Sequence, residues 1–167
     1  IGLKYLKIHS DMNLRESPTL IPTLQSLIIA CPSMKEFVLR VEKLEDETVI
    51  PLIKTFNSSE NLEKLTIKAA RSNMAVPILG QHICQFPKLR KLFFECRQMD
   101  IAQRFISSLA GSKSLTSVTI NPNLHIPRLN DYLVLPFLKN VKRINYISSV
   151  KVDQSLTHDA LPNLEIL

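Results

Sequence analysis

The sequence predicts an α/β solenoid, a curved horseshoe with parallel strands along its concave face and helices along its convex face. Three observations predict it. A six-residue stamp (apolar, two variable, apolar, variable, apolar) recurs as LKYLKI from Leu3, MKEFVL from Met34, LEKLTI from Leu62, LRKLFF from Leu89, LTSVTI from Leu115 and VKRINY from Val141, and begins again as LEIL from Leu164. Between the stamps, apolar residues fall three and four apart, the period of a helix with one buried face. Pro32, Pro87 and Pro162 each stand two residues before a stamp, where a helix must stop and the chain must turn into an extended segment.

Each stamp alternates apolar and polar residues over its second half, which is the two-residue period of a strand with one covered face. The helices are expected to bury Leu20, Leu24, Leu27 and Ile28; then Val49, Leu52, Ile53 and Phe56; then Ile78, Leu79, Ile83 and Phe86; then Ile101, Phe105, Ile106 and Leu109. Pro51 and Pro77 mark helix starts or a kink, because the N–H groups of the first turn have no intrahelical hydrogen bond to lose. The stretch 121–128, with Pro122 and Pro127, predicts an extended loop before a fifth helix.

From stamp to stamp the steps are 31, 28, 27, 26, 26 and 23 residues. Helix-pair repeats are longer, and a propeller blade needs about 40 residues and four strands. On this period and stamp the chain resembles the leucine-rich repeat family over essentially its whole length, and its helix-bearing units resemble the ribonuclease-inhibitor and F-box-associated types. One departure stands out. The family usually carries Asn or Cys at the ninth motif position, where this chain has Asp11, Glu42, Ala70, Arg97, Asn123 and Ser149. Only Asn123 fits, so irregular turns out of the strands are expected.

The chain reads as one domain over residues 1–167, of about six to seven units, cut at both ends. IGLKYLKI opens directly on a stamp and LPNLEIL stops inside one, with no polar capping unit at either side. With 45% hydrophobic and 22% charged residues it has the composition of a soluble globular protein. No apolar run approaches the roughly 18 residues of a membrane span. Cys31, Cys84 and Cys96 are an odd count without close pairing, which favours a reducing, intracellular location, cytoplasmic or nuclear. The sequon Asn57-Ser58-Ser59 points the other way but is short enough to arise by chance.

Neither enzyme chemistry nor a cofactor is expected. The three glycines, Gly2, Gly80 and Gly111, form no phosphate-cradling loop, and His9, His82, His125 and His158 are scattered over different units without metal-ligand spacing. Cys96, placed just after the fourth strand near the concave rim, reads as an ordinary thiol. Cys31 and Cys84 lie near helix ends and are expected to be packed.

What remains is a recognition surface. The third, fifth and seventh stamp positions face away from the helices and include six Lys or Arg against Glu36 and Glu95, a surplus of +4 out of the chain's +6. The candidate partner-binding residues are Tyr5, Lys7, Arg40, Lys64, Lys68, Lys91, Phe93 and Arg143. The partner they suit is a protein with an acidic surface. Nucleic acid is disfavoured, because few aromatics are interleaved with the basic residues. The resemblance implies a non-catalytic interaction scaffold, the recognition segment of a larger intracellular protein such as a ubiquitin-ligase substrate receptor, which the unequal unit lengths favour. Two alternatives stay open: the ligand-sensing repeats of a nucleotide-binding innate immune receptor, and a substrate-positioning repeat domain of a larger enzyme.

Overall fold

The computed structural model describes residues 2–10, 19–56, 60–72, 76–96, 104–105, 107–121 and 143–146. Among these, six stamps become six strands: β1 Tyr5–Ser10, β2 Glu36–Leu44, β3 Lys64–Ser72, β4 Lys91–Cys96, β5 Ser117–Asn121 and β6 Arg143–Tyr146. All pair in parallel, each beside its neighbour in sequence, in one sheet of order β1-β2-β3-β4-β5-β6. Parallel neighbours cannot be joined by a tight turn and need a crossover of about a dozen residues or more. Helices α1 Leu20–Ala30, α2 Asp46–Thr55 and α3 Val76–Ile83 occupy the first three crossovers, and a short 3-10 helix, Leu109–Gly111, precedes β5. The fold is α/β with a parallel sheet.

Register follows the stamps residue for residue. Tyr5 pairs with Glu36, Glu36 with Lys64, Lys64 with Lys91, Lys91 with Ser117 and Ser117 with Arg143. These offsets equal the first five steps between stamps, so the variation in unit length is absorbed by the connections and never by the sheet. A slip of one residue would turn every apolar side chain to the wrong face. The backbone repeats the same phase: the carbonyl of Lys4 accepts the N–H groups of Lys35 and Glu36 at 2.8 and 3.0 Å. Lys35, Glu63 and Arg90 do the same for the strands that follow them.

The covered face of the sheet and the helices share one core. Phe37, Leu39 and Val41 of β2, Leu65, Ile67 and Ala69 of β3, Leu92 and Phe94 of β4 and Val118 of β5 are buried in it. So are Leu24 and Ile28 of α1, Val49, Leu52 and Ile53 of α2, and Leu79 and Ile83 of α3. Rings pack within units and across one boundary: Phe56 lies 4.6 Å from Phe37 of its own unit and 6.4 Å from Phe86 of the next between centroids, and Phe94 stacks on Phe105 of its own unit at 4.0 Å. A Cβ on Gly80 would overlap the side chain of Ser108, whose Oγ is held by donating to the Phe105 carbonyl at 2.6 Å. Glycine therefore lets α3 approach the segment after β4.

Several expectations are corrected. Leu27 and Ile78 are 37% and 43% exposed, because the buried stripe of each short helix is the i, i+4 pair (Leu24 and Ile28, Leu79 and Ile83) and these two residues flank it. Pro51 lies inside α2 rather than at its start. Glu45 opens that helix with extended backbone, its carbonyl accepting from the Thr48 and Val49 N–H groups and from Thr48 Oγ1 at 2.9 Å. Burial of Val49, Leu52, Ile53 and Phe56 offsets the bond that proline removes. Pro77, the second residue of α3, does fall in a first turn. Phe86 is beyond α3, in a turn whose N–H reaches the Ile83 carbonyl at 3.2 Å. At the two ninth motif positions among the described residues the chain does not turn: Glu42 and Ala70 lie within nine-residue strands. Cys96 ends β4, in register with buried Ala69, and does not follow the strand.

The remaining positions of those expectations lie outside the described residues. These are Ile101, Ile106, the Asn57-Ser58-Ser59 sequon, the 122–128 loop, Asp11, Arg97, Asn123, Ser149, His125, His158, Pro162, and the stamp starts Val141 and Leu164.

Candidate functional site: the open face of the sheet

Alternate strand positions share the open face, and the register gathers them into three rows that cross the strands. The first row runs Tyr5, Glu36, Lys64, Lys91, Ser117, Arg143; the second Lys7, Val38, Thr66, Phe93, Thr119, Asn145; the third His9, Arg40, Lys68, Glu95, Asn121. Neighbours within a row sit about 4.8 Å apart across the strands, close enough for side chains to interact. All eight candidate residues belong to these rows. Their chemistry is sorted: the middle row is mostly apolar or hydroxyl-bearing, whereas the outer rows carry most of the charge. Thr66 is buried at 7% exposure, Val38 and Phe93 are half-buried beside it, and Tyr5 stands out at 48%.

The charges are not equivalent. Lys64 Nζ lies 2.6 Å from Glu36 and Lys68 Nζ 3.3 Å from Glu95. Lys68 also sits over the Phe93 ring, 4.4 Å from its centroid, where the ring face attracts a cation. Glu36 and Glu95 are thus spent on Lys64 and Lys68. Lys7, Arg40 and Lys91 carry no ion pair among the described residues. The exposed charge surplus rests on them more than on Lys64 and Lys68, two of the residues that the sequence places in the basic surface. Of Arg143 the structure gives the backbone position, at the β6 end of the first row.

Two features escaped the reading of the stamp. The second stamp position, variable in the sequence, leaves Lys4, Lys35 and Arg90 exposed along the N-terminal ends of the strands. Lys35 pairs there with Glu63 at 2.7 Å, and Lys35 above all, with Arg90 and Lys88, holds the Glu63 carboxyl below its ordinary value. The second feature is a depression of about 120 Å³ at the C-terminal ends of β1–β4, lined by Ser10, Arg40, Val41, Glu42, Lys68, Ala69, Ala70 and Glu95. The β2–β3 register skips Glu42 and Ala70 there, resuming at Lys43 and Arg71. A signal for the ion pairs was present: Glu36–Lys64 and Lys35–Glu63 are separated by one step of 28, and Lys68–Glu95 by one step of 27.

Elsewhere, Cys31 and Cys84 are half-buried against the core, and burial pushes the Cys84 thiol up from its ordinary value. Among the described residues no group of three or more His, Cys, Asp or Glu side chains could hold a metal ion, and no helix is long and apolar enough to cross a membrane. No protein-family model matches the chain, and a search of curated proteins gives no match either.

Proposed function

We propose that the chain is a leucine-rich repeat solenoid that acts as a non-catalytic scaffold and binds an acidic protein through the open face of its sheet. The observation that carries this reading is the sorting of that face into a weakly charged middle row between two charged ones. Protein interfaces share that anatomy: a core depleted in charge and rich in aromatics, with a polar rim. Phe93, Val38 and Tyr5 would bury apolar surface, and Lys7, Arg40 and Lys91 would steer and orient an acidic partner. The equality of stamp spacing and strand register supports the solenoid part of the proposal. Among the settings that the family resemblance implies, the unequal unit lengths favour the recognition segment of a ubiquitin-ligase substrate receptor.

The test reverses the unpaired charges. Polyglutamate serves as an acidic surrogate and single-stranded RNA as the competing polyanion, both at about 50 mM salt so that screening is weak. The K7E/R40E/K91E variant should keep its circular dichroism spectrum and lose roughly tenfold or more in polyglutamate binding. Unchanged binding by a folded variant contradicts the proposal, as does wild-type protein that prefers RNA.

A further inference from the structure

We infer that the depression at the C-terminal ends of the strands is a socket for a single carboxylate side chain of the acidic partner, read by Arg40 with Lys68 behind it. The inference rests on the open face being the interaction surface and assigns one position on it. At about 120 Å³ the depression is well below the roughly 300–1,000 Å³ of small-molecule pockets. A depression of that size admits one side-chain end group with its water.

The lining decides the charge of the occupant. Arg40 and Lys68 are register partners on β2 and β3, so two cations stand side by side. Lys68 is already positioned by Glu95 at 3.3 Å and by the Phe93 ring, and its ammonium has three donors, only one of which an ion pair to Glu95 needs. Arg40 is exposed and carries no ion pair among the described residues, and its planar fork matches a carboxylate with two parallel hydrogen bonds. Glu42 and Glu95 also line the depression. Those two carboxylates repel a dianionic phosphate about twice as strongly as a single carboxylate, which brings one charge to the Arg40 fork.

The probe is a fluorescein-labelled, C-amidated hexaglutamate, whose peptide carboxylates are all on side chains, followed by anisotropy at about 50 mM salt with the free label as control. Arg40→Gln should weaken binding roughly tenfold. Arg40→Lys should recover only part of that loss, because an ammonium cannot make the paired bonds. Lys7→Gln, on the same face outside the depression, should cost about twofold, as one screened charge does. If Arg40→Gln costs no more than Lys7→Gln, the socket is overturned while the interaction face stands. If the K7E/R40E/K91E variant also binds hexaglutamate as the wild type does, the interaction face itself fails.

Discussion

Glu63 shows how the repeat sets the chemistry of a single residue. Its carboxyl stands in the crossing row of second stamp positions, facing Lys35 from the preceding unit and, at longer range, Arg90 from the next. The hydrogen bond and charge of Lys35 lower its pKa from 4.5, with Arg90 and Lys88 adding smaller effects in the same direction. A carboxyl whose folded value is lowered stabilises the fold fully above its unfolded value, and that contribution is lost as pH falls through the folded one. The stability effect is small because both side chains are about half exposed. The titration itself is the sensitive readout: followed by carboxyl-carbon NMR, Glu63 should have its midpoint below 4.5, and Lys35→Gln should move it up. No movement would detach the shift from that pair.

At the scale of elements, the units are held together by packing across their boundaries more than by any one strand or helix. Phe56, the C-cap of α2, is fully buried and touches Phe37 of its own unit and Phe86 of the next. Phe56→Ala should therefore cost about 3–5 kcal/mol by urea unfolding, against less than about 0.5 kcal/mol for Ile29→Ala, whose side chain is 64% exposed. Equal effects would mean that the helices do not contribute jointly to the core. The strands and their register were legible in the sequence because one apolar stamp encodes both the strand period and the covered face. The helix faces were legible only in part. Three-and-four spacing assigns Leu24 and Leu27 to one side equally well, and only the contact with the sheet, which takes Leu24 and Ile28, separates them. Of the two placements that the local rule offers Pro51, a helix start is excluded by its position inside α2.

For the molecule as a whole, the stamp fixes which residues share the open face, and adding the unit step to any residue number names its neighbour on the next strand. That arithmetic places Arg40 beside Lys68 and Lys68 beside Glu95. Counting charges along the chain did not distinguish compensated from uncompensated lysines, since pairing depends on which strands are adjacent. The depression was not legible at all, because it arises from the shape between strand ends and not from any residue type. The central claim is that this face, and not the helical side, meets an acidic partner. The most direct measurement is a backbone amide shift map of the protein titrated with C-amidated hexaglutamate. The account predicts that Lys7, Val38, Arg40, Lys68, Lys91 and Phe93 move while Ile29 of α1 and Ile78 of α3 stay still. Shifts confined to the helices, with the strand rows silent, would contradict it.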